Sequence, residues 1–170
     1  MAQVFFFELN DKSLPFNKCL ATCNYIINED HILRGKEIEL EYQNKYKRLI
    51  ITNNRRVFIN KELNYTLIEI LPEDEIKNYF QIDMNQIRDY KGEEAYVLQY
   101  PKGLELGFSC GNILSIENDN IIHNCSTRPG SGGGPLILRY KQSVIGIHKG
   151  REHNTNNRFA IPIQLIINDI

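Results

Sequence analysis

No long hydrophobic run, no surplus of one charge and no dense cysteine framework mark this sequence, and each absence removes a class of protein. No apolar stretch approaches the roughly 20 residues that a membrane-spanning helix needs. Phe5-Phe6-Phe7 is too short for the core of a secretory leader. The 20 Lys and Arg against 21 Asp and Glu leave a net charge of −1, which gives no reason to expect a nucleic-acid or membrane partner. Four cysteines, Cys19, Cys23, Cys110 and Cys125, without such a leader are expected to be reduced thiols in a cytoplasmic protein. A chain of 170 residues can bury a core without a disulfide or metal staple. It forms one domain or two intimately packed halves. No internal repeat, low-complexity tract or heptad pattern is found.

What is present is a succession of short β-rich runs between polar turns. In the first half they fall at residues 4–9, 18–23, 37–42, 48–52, 57–59 and 65–71. The run 37–42 is expected to pair with 48–52. In the second half they fall at 94–100, 105–110, 112–117, 121–125, 136–140, 144–148 and 159–162. Residues 73–79 read as one short helical or turn segment, 83–91 as a polar crossing, and 163–170 as a closing helical turn. Many short strands at regular spacing indicate a sandwich or a barrel, and periodicity does not choose between them.

The densest signal is Cys125-Ser126-Thr127-Arg128-Pro129-Gly130-Ser131-Gly132-Gly133-Gly134-Pro135-Leu136-Ile137, with four glycines in five positions. Glycine at this density serves positive φ or very close approach, and successive N–H groups in such a loop can converge into an anion-binding nest. A mobile linker is the other reading. The strand-like Leu136-Ile137-Leu138, answered by Val144-Ile145-Gly146-Ile147, argues against it.

Together with Val144-Ile145-Gly146-Ile147-His148-Lys149-Gly150, this loop resembles the nucleophile region of chymotrypsin-fold, trypsin-like serine peptidases, most of all their small glutamyl-endopeptidase-like branch. The resemblance implies an all-β fold of two six-stranded antiparallel β-barrels with a cleft between them. It implies an N-terminal barrel at 1–83, a linker at 84–93 and a C-terminal barrel at 94–170. In that family a serine precedes Gly-Gly-Pro. Counting back from Pro135, that position is Gly132, and Ser131 fills the variable position before it. Upstream, Ala21-Thr22-Cys23-Asn24-Tyr25-Ile26-Ile27 matches the motif of the catalytic His and puts Tyr25 in its place. Asn64-Tyr65-Thr66-Leu67-Ile68-Glu69-Ile70 matches the strand headed by the catalytic Asp and puts Asn64 there. A competing match for the His motif, residues 51–57, lies too close to that strand. Gln99-Tyr100-Pro101-Lys102-Gly103 and Phe108-Ser109-Cys110-Gly111-Asn112-Ile113 resemble strands that open the second barrel. The match is weakest at Ala2-Gln3-Val4-Phe5-Phe6.

By the chemistry of these side chains the triad is degenerate. A phenol with a pKa near 10 is protonated at neutral pH, an amide carries no charge to stabilise an imidazolium, and glycine offers no oxygen. Loss of a triad typically costs about 10⁶-fold in turnover. The expectation is therefore that the chain is not an enzyme but a pseudoprotease. Tyr25 is expected to lie across the cleft. A rewired protease, a cysteine nucleophile and a zinc site at Cys19, Cys23 and His31 are weaker readings, so no metal and no cofactor is expected. Cys110 and Cys125 read as small buried hydrophobes.

Part of the site is expected to survive. The backbone of Gly130, Ser131 and Gly132 would keep an oxyanion-type nest. By resemblance, Thr127 and His148 would contact a Glu or Gln side chain of a bound peptide, and the strand through Lys149 and Gly150 would pair with it. Lys149, Arg151 and Arg158 would favour an acidic ligand. The plainer reading makes His148 a satisfied buried residue and these cations solvated surface charges. The expected function is binding of a protein or extended peptide, as a decoy, regulatory or sensing module. A structural subunit with an occluded cleft, or a weak residual hydrolase, is the alternative.

Overall fold

The structure, a computed structural model, describes residues 3–9, 11, 13–35, 37–85, 90–100, 105–151, 155 and 157–170. Ala2 and residues 101–103 of the matched stretches, and residues 86–89 of the expected crossing and linker, lie outside these. No helix among the described residues is long and apolar enough to cross a membrane.

The first half is built on strands β1 (Phe5–Glu8), β2 (Lys18–Cys23), β5 (Val57–Asn60), β6 (Tyr65–Glu69) and β7 (Phe80–Gln81). They form one open sheet in the order β5-β6-β2-β1-β7. Near-continuous apolar strands indicate burial on both faces, and this sheet is covered on both. Phe5, Phe7, Cys19, Ala21 and Cys23 join a core shared with the second half, while Phe6 and Leu20 join a separate core on the opposite side.

That opposite core is capped by a two-stranded hairpin, β3 (Glu37–Tyr42) and β4 (Lys45–Ile50). The hairpin turns on Gln43 and Asn44, both at positive φ, the backbone that two-residue hairpin turns use. The second strand therefore begins at Lys45, earlier than the expected 48. Leu40 and Leu49 are its fully buried residues, and Glu37, Glu39, Glu41, Lys45 and Arg48 face solvent.

The second half is a closed six-stranded barrel in the order β10-β13-β12-β11-β8-β9. Its strands are β8 (Glu94–Gln99), β9 (Gly107–Glu117), β10 (Asn120–His123), β11 (Pro135–Leu138), β12 (Ser143–Arg151) and β13 (Arg158–Pro162). The two expected strands at 105–110 and 112–117 are the single strand β9. Its alternation turns Cys110 outward, so this thiol is exposed rather than buried, whereas Cys125 is buried.

The expectation of two six-stranded barrels is thus corrected. One barrel closes, and the first half is an open sheet with a hairpin laid against it. The hairpin's charged alternation suits a sheet with one solvated face, so it packs through Leu40 and Leu49 without hydrogen-bonding to the larger sheet. The edges β5 and β7 stay apart.

Two α-helices are found among the described residues: α1 (Glu29–Gly35) and the closing α2 (Ile163–Asp169). Helix α1 was not among the expected elements. Its local signals are Asn28, whose Oδ1 accepts from the His31 amide, acidic Glu29 and Asp30 in the first turn, and Arg34 in the last.

The first half also holds a buried ion pair. Arg55 donates from Nη1 to Asp74 Oδ2 at 2.6 Å and from Nη2 to Oδ1 at 2.9 Å. Its remaining donors reach the carbonyls of Ile50 and Glu69, and Asp74 also accepts from the Leu71 amide. This fully bonded knot ties the 3₁₀ turn Pro72–Asp74 to the end of β6.

Candidate functional site

Strand β2 sends Cys19, Ala21 and Cys23 toward the second half, so the turn that follows, Asn24-Tyr25, emerges at the junction of the halves. The Cys23 thiol donates to the His148 carbonyl across that junction, and burial pushes its pKa up to about 12. In the turn just before the neighbouring strand β6, Asn64 holds the left-handed conformation, φ 63°, which Asn and Asp tolerate better than most residues. From there its carbonyl accepts from the Asn24 amide at 3.1 Å and its Oδ1 from the Tyr25 amide at 3.3 Å.

The Tyr25 ring then reaches the glycine loop. Its hydroxyl donates to the Lys149 carbonyl at 3.2 Å and stands 1.7 Å from where a Cβ on Gly132 would be. The residues assigned to the three triad positions are therefore brought together from three separate segments. Tyr25 spans the junction through this bond, and 56% of the residue is exposed. Burial of the hydroxyl end, with Cys23 beside it, raises the phenol's pKa further above its ordinary value.

The glycines are explained by contact. Gly133, at φ 85°, has the Gln3 carbonyl 2.2 Å from its would-be Cβ, and Gly134 has the Leu98 carbonyl at 2.5 Å. A side chain at either would drive into backbone. The loop is tied to β12 by Gly133 N to His148 O and His148 N to Gly134 O, each 2.8 Å. The Ser131 amide is taken by the Arg128 carbonyl, and its hydroxyl sits against Gln99 and Arg128, 1% exposed. Among the described residues, the amides of Gly130 and Gly132 have no acceptor.

Thr127 and His148 are both buried, but each bonds to a third residue. Arg158 Nε donates to Thr127 Oγ1 at 3.1 Å. The His148 ring meets His123, Nδ1 to Nε2, at 3.3 Å. Burial lowers His148 to about 4, with the Arg158 charge adding to it, and lowers His123 to about 3, with His148 and Arg158 adding. Both imidazoles are neutral at pH 7. Arg158 is itself buried rather than a surface charge. Lys149, half-buried, is held below the usual ammonium range by burial. Sequence reasoning placed His123 near a turn and gave it no part here, although its position two residues before Cys125 in a strand was a usable signal.

The two histidines make stability pH-dependent. Their folded pKa values lie below the ordinary 6.5, so the unfolded chain binds protons first as pH falls. Stability present above pH 6.5 is expected to fall, each histidine taken alone contributing roughly 3 kcal/mol of loss by pH 4. Urea midpoints measured from pH 7 to pH 4.5, above most carboxylate titration, check this. A flat profile would contradict the assigned burial of the pair.

The last strand feature is at the end of β12. Strand β11 follows it only as far as Pro135↔Ile147, whereas β12 continues to Arg151, paired on its other side with β13. Beyond the loop contacts at His148, residues 149–151 therefore keep one edge without a strand partner among the described residues. Tyr25 takes the Lys149 carbonyl on that edge.

Residues 14–147 match the family model described as Trypsin-like peptidase domain. No curated protein matches in sequence. Among solved structures, the serine endoprotease from Yersinia pestis superposes with a TM-score of 0.71 at 15% identity, covering 97% of this chain and 60% of that one. This chain thus spans less than two thirds of that protein's length. The Rv3671c protease of M. tuberculosis H37Rv, as a mutant in its inactive form, gives a TM-score of 0.68 at 14% identity, covering 99% of this chain and 82% of that one. Another structure of Rv3671c protease in an inactive form gives 0.65 at 14%, covering 88% and 76%.

These findings overturn the expectation that the chain is not an enzyme. The match to a peptidase-domain model over residues 14–147 places the chain in a peptidase family, and the solved neighbours share its fold. With His148 and the hydroxyls of Thr127 and Ser131 in the same region, absence of a triad does not follow from Tyr25, Asn64 and Gly132 alone.

Proposed function

We propose that this chain, which belongs to the trypsin-like peptidase domain family, binds an extended peptide along residues 149–151 of β12, with one peptide side chain directed toward Thr127 and His148. The observation that carries this is the overrun of β12 past β11 beside the glycine loop. A strand edge there can add a peptide through main-chain hydrogen bonds. The amides of Gly130 and Gly132 stand beside it as donors for a peptide carbonyl.

Tyr25 competes with such a peptide, because its hydroxyl occupies the Lys149 carbonyl. Tyr25→Phe frees that acceptor while leaving the ring, and is expected to tighten peptide binding by about 2- to 10-fold, the equivalent of one ordinary hydrogen bond. Fluorescence anisotropy with capped, labelled pentapeptide pools measures both points. Binding by the parent, lost when the peptide backbone is N-methylated, supports strand addition. No binding by either the parent or Tyr25→Phe would overturn it and favour a cleft used only as a structural contact.

A further inference from the structure

The hairpin of β3 and β4 leaves one strand edge bare. Gln43 and Asn44, both at positive φ, make a two-residue turn flanked by Tyr42 and Lys45, and the residues flanking such a turn exchange both backbone bonds. Alternation along the antiparallel ladder gives the same bonds to Leu40 with Lys47 and to Ile38 with Leu49. The N–H and C=O groups of Glu37, Glu39 and Glu41 therefore point away from β4. No strand lies on that side among the described residues, because the hairpin is a separate two-stranded sheet.

That edge borders a groove. Two adjoining hollows, of about 600 and about 360 Å³, meet at Ile27, Ile38 and Glu39. Between them they are lined by every residue from Glu37 to Glu41, consecutive positions that only a strand edge presents together. The smaller hollow is also lined by Gln3 and Val4, just before β1. On its side away from β2, β1 is followed by β7 only at Phe7 and Glu8. The floor is aliphatic: Val4, Ile26 and Ile38 pack onto the core that holds Phe6 and Leu40. The rim is acidic. Glu37, Glu39 and Glu41 are exposed, and Asp30 lines the α1 end together with Arg34. Of these four carboxylates only Glu39 is ion-paired among the described residues, to Arg48.

We infer that this groove takes an extended strand of a partner protein in which lysine or arginine alternates with aliphatic residues. The strand pairs with the free groups of Glu37, Glu39 and Glu41 through main-chain hydrogen bonds. Side chains that share a face on neighbouring strands stand about 5 Å apart. The positions beside the glutamates are therefore basic, and those beside Ile38 and Leu40 are aliphatic and cover Val4 and Ile26. A second copy of this chain fits badly edge to edge, because it would set these glutamates against themselves. The inference concerns a different edge from the end of β12 and does not depend on peptide binding there.

The probes are two acetylated, amidated heptapeptides, one alternating Val with Lys and the other Val with Glu. Hydrogen exchange at single backbone amides locates them, and fluorescence anisotropy with labelled forms gives affinity. In the free protein the amides of Glu39 and Glu41 are expected to exchange at least about tenfold faster than those of Ile38 and Leu40. The Val–Lys peptide is expected to slow them at least about tenfold, and to bind at least about tenfold more tightly than the Val–Glu peptide. Glu37→Lys with Glu41→Lys changes two exposed side chains and is expected to abolish or reverse that preference. Edge amides already protected in the monomeric free protein, equal binding of the two peptides, or a preference unchanged in the charge-reversed variant overturns the inference. Protection confined to residues 149–151 overturns it too, and leaves the reading at β12 standing. A parent that self-associates, and loses protection of Glu39 and Glu41 on dilution, would assign the edge to a second copy instead and so overturn the choice of partner.

Discussion

On a mixed peptide library read by mass spectrometry, the variant carrying Tyr25→His, Asn64→Asp and Gly132→Ser together is expected to cleave at least about 10³-fold faster than the same variant without Gly132→Ser. The argument is geometric. The Asn64 Oδ1 already accepts from the Tyr25 amide, and the Gly132 backbone already faces the Tyr25 hydroxyl. An imidazole at 25, a carboxylate at 64 and a hydroxyl at 132 would be adjacent without moving any strand. Asp tolerates the left-handed backbone of Asn64 as Asn does.

The substitutions must also be made together. A Cβ at Gly132 would lie 1.7 Å from the Tyr25 hydroxyl, so Gly132→Ser alone forces Tyr25 aside, whereas the smaller His removes the clash. Gly132→Ser is therefore expected to be less stable in the parent than in Tyr25→His, a coupling that a double-mutant cycle measures. Equal cleavage by the triple variant with and without Gly132→Ser would sink the assignment of these positions.

The largest stability effect is expected far from that site. Asp74→Ala leaves Arg55 buried with its two strongest bonds broken and should destabilise the chain by about 3–5 kcal/mol. The Leu71 amide loses its acceptor as well. Replacing both partners with apolar residues, as in Arg55→Met with Asp74→Leu, should cost much less, because no charge is then left unpaired. Chemical denaturation of the single and double variants checks both. A single variant within about 1 kcal/mol of the parent would show that water reaches the pair and that it does not brace the turn.

The two arginines show where sequence reading stopped. Arg55 and Asp74 stand 19 positions apart on either side of two strands, and no local pattern announces that they meet. Arg158 follows polar residues and reads as a surface charge until β13 is seen to carry it beneath Thr127. Burial of a cation is a tertiary property, set by which strand covers it.

The glycine loop was legible for the opposite reason. Gly133 and Gly134 answer contacts with backbone, which only glycine permits, so composition alone carried the signal. Tyr25, Asn64 and Gly132 were placed by motif, and their meeting follows from strands β2 and β6 lying side by side. The first barrel was over-read. Alternation in 37–42 and 45–50 marks a hairpin with one wet face, and it carries no information about which sheet, if any, that hairpin joins.

The central claim is that an extended peptide lies along the end of β12. Backbone-amide NMR of the parent during titration with the capped pentapeptide pools tests it most directly. Shifts concentrated in residues 127–134 and 148–151, with Tyr25 responding alongside them, are the expected result. Shifts confined to the groove between α1 and β3, lined by Ile27, His31, Glu37 and Ile38, or no shifts at all, would contradict it.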